Sequence, residues 1–207
     1  MTLSSAARHV AATATVCTML LVPVSPASAQ TYAGHLAVRL YDFSALDKSV
    51  RSAALEEARA IVADAGVTAD WHDCYRTEGC TPEAGELVVR VIRETGEHGF
   101  EWQRALGVSV IDPAAGSGTL ATIFINRVED SARHAGADLA LLVGRAIAHE
   151  VGHLILRTNA HAGEGLMRAI WTEQELARNA PKDWVFASSD RRQIRTALQR
   201  AGTSATR

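Results

Sequence analysis

Apolar and polar residues alternate through residues 35–43 (HLAVRLYDF), the period of a strand with one buried face. The period then changes. Over 46–65 the apolar positions Leu55, Ile61 and Val62 fit a helix that follows Ser44 and stops at Gly66. Residues 67–74 predict a second, short strand, and the β-branched run 86–94 (ELVVRVIRE) predicts a third. Residues 95–104 read as loop, broken by Gly96 and Gly99. A fourth strand is expected over 106–111 (LGVSVI), ended by Asp112-Pro113 and a glycine-rich turn, and a fifth over 119–128 (TLATIFINRV). A long helix should start at the N-cap Asp138 and run to about Arg157. Leu139, Leu142, Val143, Ile147, Val151, Leu154 and Ile155 cover nearly every side of it, which predicts burial in the middle of the domain. A short helix near 172–179 and a last one near 189–201 complete the tail.

Composition adds limits. The chain has 207 residues, 47% hydrophobic and 21% charged, which suits a single globular domain. A net charge of -2 gives no reason to expect a nucleic-acid or membrane partner. Arg191, Arg192, Arg195 and Arg200 alternate with apolar residues, as on the wet face of a helix. The start reads as a signal peptide over 1–29: Arg8 as a weak basic region, a short apolar stretch from Val10 to Val24, and Ala27-Ser28-Ala29 as the cleavage pattern. The mature domain is then 30–207, secreted or periplasmic, with no membrane attachment after cleavage. Removal of Cys17 leaves Cys74 and Cys80, and an exported chain with that pair is expected to close the small loop between them with a disulfide.

The candidate chemistry lies in 148–167, AHEVGHLILRTNAHAGEGLM. On a helix His149 and His153 are one turn apart and project from one face, so both imidazoles can grip one ion. Glu150 stands beside them to deprotonate a metal-bound water, the mechanical content of HExxH. A catalytic zinc takes three protein ligands and leaves one position open, so a third must be found. His161, Asn159 and Glu164 are the near candidates. If the helix simply continued, His161 would lie about 12 Å from His153 at about 1.5 Å per residue, so the chain has to turn back. Leu156 is a poor turn residue and Asn159 tolerates the left-handed conformation better. The expectation is therefore a helix to about Thr158, a turn at Asn159, and His161 on the metal. The histidines at 35, 72, 98 and 134 have no spacing partners and read as surface or loop residues, and the four tryptophans read as core or rim packing.

The stretch resembles the metzincin clan of zinc peptidases, whose pattern is HExxHxxGxxH followed by a methionine-containing turn. His149, Glu150 and His153 match, Gly165-Leu166-Met167 is similar to the methionine turn, and the short step from third histidine to methionine is most similar to matrixins. Leu156 stands at the position of the turn glycine and Asn159 at that of the third ligand, so His161 fits with two residues inserted. The resemblance implies an α+β fold: a twisted five-stranded mixed sheet with an antiparallel edge strand, packed on two long helices, plus a C-terminal helix. It also implies Met167 as a floor under one catalytic Zn2+, residues 106–111 as the edge along which a peptide or protein substrate lies, and an endopeptidase with Glu150 as general base. Gly96-Glu97-His98-Gly99 resembles a matrixin structural-zinc loop, but the partner histidines are absent and no second zinc is expected. Two other readings stay open at this point. One is a gluzincin-type peptidase with Glu173 or Glu175 as third ligand, the other a secreted module that uses the metal structurally.

Overall fold

The computed structural model describes residues 36–75, 80–94, 105–112 and 117–204, with the side chains of 201–204 left aside. The signal peptide expected at 1–29 and the loop expected at 95–104, with its Gly96-Glu97-His98-Gly99 segment, lie outside the described residues. The alternation of the first segment becomes β1 (Leu36–Asp42), which buries Leu36, Val38 and Leu40. Helix α1 (Lys48–Asp64) is capped by Asp47, whose carboxylate accepts the Ser49 N–H at 2.8 Å. Ser44 is spent earlier, bonding to the Asp42 carboxylate in the turn out of β1.

Strands β2 (Ala69–Asp73), β3 (Leu87–Ile92), β4 (Gly107–Asp112) and β5 (Ser117–Phe124) complete one sheet in the order β2-β1-β3-β5-β4. The neighbours β2, β1, β3 and β5 run parallel, and β4 pairs antiparallel with β5. The result is an α+β domain on a five-stranded mixed sheet with β4 as one edge. β3 buries Leu87, Val89 and Val91, which accounts for its aliphatic sequence. Cys74 follows β2 and is disulfide-bonded to Cys80, with the Cα atoms 5.7 Å apart.

The fifth strand ends sooner than expected. It stops at Phe124, and residues 125–128 open helix α2 (Ile125–Ala135) instead of extending the strand. Ile125, Val128 and Ala132 are its buried positions, spaced three and four apart, and Gly136 closes it with a left-handed φ of 64°. β-branched residues favoured a strand, but the buried stripe runs at helical period, and tertiary burial decides.

Helix α3 (Leu139–Leu156) starts at Asp138, whose carboxylate accepts the Leu141 N–H at 3.0 Å. Every residue from Leu142 to Ile155 is buried. The helix touches β3, β4 and β5 of the sheet as well as α1, α2 and α5 (Ser188–Ser204), so it has neighbours on all sides. It is long and apolar enough to cross a membrane, but it is the core helix of this domain. A capping box from Thr172 to Glu175 begins α4 (Glu173–Arg178), and Asn179 closes it.

The end of α3 differs from expectation. Helical geometry stops at Leu156, and Arg157, not Asn159, takes the left-handed conformation at φ 55°. One carbonyl near the end finds two donors: the Arg157 and Thr158 N–H groups both bond to the His153 carbonyl. Arginine carries a Cβ cost there, and the surrounding bonds outweigh it.

Candidate metal centre

The early turn at Arg157 is what builds the site. It brings the Thr158 carbonyl to 2.7 Å from His153 Nδ1, while the Leu166 carbonyl lies 2.9 Å from His149 Nδ1. A carbonyl only accepts, so each Nδ1 carries the hydrogen. Both Nε2 atoms therefore present lone pairs, and they lie 3.0 Å apart. Two facing acceptors repel unless a cation lies between them. Zinc–nitrogen bonds of about 2.0–2.1 Å at a tetrahedral angle would separate two donors by about 3.3 Å, close to what the pair shows.

His161 joins them. Its ring centroid is 4.8 Å from that of His153 and 5.4 Å from that of His149, and one nitrogen from each of the three rings falls within 4.8 Å of the others. The donor set is three neutral imidazoles, which suits Zn2+ with a position left open. Burial pushes the His149 imidazole down to about 3 and that of His153 down to about 4, and it lowers His161 as well. The rings are kept in the unprotonated form that a metal needs.

Of the other candidates, Asn159, Glu164 and Glu173 are exposed, and neither Glu164 nor Glu173 belongs to the cluster. Glu175 is engaged elsewhere: its carboxylate accepts from Thr172 and pairs with Arg168. Trp171 stands edge-on to His149 with centroids 5.5 Å apart and donates its indole N–H to the Leu166 carbonyl at 3.2 Å. It meets the site, which goes beyond the core or rim packing expected of it by default. His72 and His134 are exposed, as expected.

Met167 is buried under the helix. A Cβ on Gly152 would come within 2.7 Å of the Met167 sulfur and 2.7 Å of the Phe186 ring, so glycine at the fourth position of HEVGH is what lets the methionine turn approach α3. Gly152→Ala gains about 1 kcal/mol of helix preference but overpacks a filled core, which costs about 1–3 kcal/mol. The sulfur can shift; the buried Phe186 ring cannot easily. A lower Tm is expected for Gly152→Ala, and an unchanged or raised Tm by calorimetry would contradict this contact.

Glu150 lies beside the first ligand and is buried. Burial raises its carboxyl to about 7, against a smaller lowering by the Ser109 hydroxyl, which donates to Oε2 at 2.7 Å. These shifts contribute to how the metal-free protein responds to pH. Between 4.5 and 6.5 the unfolded chain protonates both histidines, while the folded chain keeps them neutral but protonates Glu150. The histidines' contribution is whole above 6.5 and is lost as pH falls towards 4 and 3, whereas that of Glu150 is whole below 4.5 and is lost as pH rises towards 7. The unfolded state holds one proton more in that window, so stability from these groups falls as pH drops below 6.5, and more steeply below 4.5. Thermal melts of chelator-treated protein from pH 7 to 4 test this, and a flat profile would contradict it.

Sequence reasoning missed Gly107, Ser109 and Gly152 as parts of the site. The strand's alternation carried the signal: Gly107 and Ser109 share one face of LGVSVI with no large side chain to bury.

No protein-family model and no curated protein matches the chain. Among solved structures it is similar to a zinc-dependent peptidase from Methanocorpusculum labreanum, with a TM-score of 0.50 and 15% identity over 76% of this chain and 99% of that one. That likeness is one of fold.

Proposed function

We propose that the chain is an exported zinc endopeptidase of metzincin type, similar to matrixins. The observation that carries this reading is the convergence of His149, His153 and His161 within 4.8 Å, with a buried glutamate next to the first of them. The likeness of fold to a zinc-dependent peptidase supports it, and so does the antiparallel edge strand β4, where an extended peptide could add as a further strand. The disulfide Cys74–Cys80 supports an oxidising compartment, in keeping with the signal peptide read from residues 1–29.

His149, His153 and His161 would hold the ion as neutral ligands. When bound, zinc supplies a Lewis acid that polarises the scissile carbonyl and acidifies water. Glu150 takes the proton of the attacking water on its carboxylate and passes it to the nitrogen of the leaving amine. The Leu166 carbonyl and Trp171 hold the ring of His149, the carbonyl at Nδ1 and the indole edge-on from the side.

The purified mature chain, incubated with casein and with a random peptide library, is expected to cleave internal bonds. A chelator should stop the cleavage and added zinc should restore it. Absence of cleavage of every library member, or cleavage indifferent to chelator, would refute the proposal.

A further inference from the structure

Glu150 sits in a seat built by the edge strand. Gly107 and Ser109 lie two apart on β4 and face the same way, towards α3. A Cβ on Gly107 would fall 2.8 Å from Glu150 Oε1 and 2.8 Å from its Cγ, so the carboxylate lies flat against bare backbone there. On the other side the Ser109 hydroxyl donates to Oε2 at 2.7 Å and stands 3.0 Å from the main-chain carbonyl of Glu150. Ser109 is buried, and both of these partners belong to Glu150. Among the described residues this buried hydroxyl serves Glu150 alone, which makes it a dedicated contact. The hydroxyl has one hydrogen, and the bond to a carboxylate is the stronger of its two choices. Oε1 accepts no hydrogen bond from the described residues.

We infer that Ser109 is a positioning residue for the general base: it pins Oε2, and Gly107 keeps Oε1 clear, so that Oε1 is the oxygen that receives the proton of the attacking water. This rests on the peptidase reading above and adds to it the part that aims its base. A glutamate has three rotatable side-chain bonds, and a base out of line by an ångström loses rate without losing substrate. Val110, the next residue on β4, points away from Glu150 and is exposed.

Ser109→Ala is expected to lower kcat about ten- to a hundredfold. KM and the zinc content, read with a chromogenic chelator, should stay within about twofold of the parent by the same argument. Ser109→Thr, which keeps the hydroxyl, should recover most of the rate, and Gly107→Ala, which crowds Oε1, should lower kcat while leaving the zinc content intact. A second readout needs neither metal nor turnover. In metal-free protein Ser109→Ala should lower Tm by about 2–4 °C in the parent, and by much less in a Glu150→Ala background, where the partner is gone. An unchanged kcat, a loss of zinc or a rise in KM in step with kcat, or equal Tm effects in the two backgrounds would each overturn the role. If the parent cleaves no peptide while the Tm effects stay coupled, the peptidase reading has failed and the bond is structural only.

Discussion

Glu150→Ala is expected to keep its metal and lose its hydrolysis. The carboxylate is not one of the three converging ligands, and the two buried rings that are ligands take their orientation from the Leu166 and Thr158 carbonyls, not from Glu150. Their grip should survive. What goes is the group that moves the proton, and general acid–base catalysis contributes about 10²–10⁴-fold to rate. A loss of that order with about one zinc per chain, as the three-ligand geometry requires, is the expected outcome. The variant should not be much less stable than the parent, because it leaves a gap but also removes a carboxyl that burial disfavours in its charged form. Zinc by atomic absorption beside a peptide-cleavage assay makes the measurement. Hydrolysis at the parental rate would remove Glu150 from its assigned role.

The second large effect concerns the third ligand. His161→Ala is expected to weaken zinc binding by more than a hundredfold while leaving the fold intact. The estimate follows from structural zinc sites, where about 10–16 kcal/mol over four ligands means about 3 kcal/mol for each, and about 1.4 kcal/mol is a factor of ten. The fold should stand because His161 is exposed, unlike His149 and His153 inside α3. Glu173→Ala should bind zinc as the parent does, since Glu173 is exposed on α4 and outside the cluster. Chelator competition on both variants, with absorption spectra that count imidazole ligands, separates the two. Loss of zinc in Glu173→Ala alone would overturn the ligand set.

Much of this was legible in the sequence because it is local. The strands at Leu36–Asp42 and Leu87–Ile92 show their period directly, and Asp138 marks the start of α3 by its capping chemistry. His149 and His153 need only the pitch of a helix to become neighbours. The misses have one physical origin, which is that burial by distant segments chose between local alternatives. Ile125 and Val128 carry strand-forming side chains, yet both are buried on the stripe of a helix. Asn159 has the better intrinsic preference for a left-handed turn, yet hydrogen bonds to the His153 carbonyl place that turn at Arg157. Gly107 and Ser109 lie more than forty residues before Glu150, so only the packing of β4 against α3 discloses that they meet it.

The left-handed arginine also sets the spacing between the second and third imidazoles. With the reversal at residue 157 and the third imidazole at 161, the connection from His153 is two residues longer than HExxHxxGxxH allows, and the rings still meet. A text search with fixed gaps passes over such a chain. What this chain keeps is a triangle of nitrogens within 4.8 Å of one another, with seven residues strung between its second and third corners.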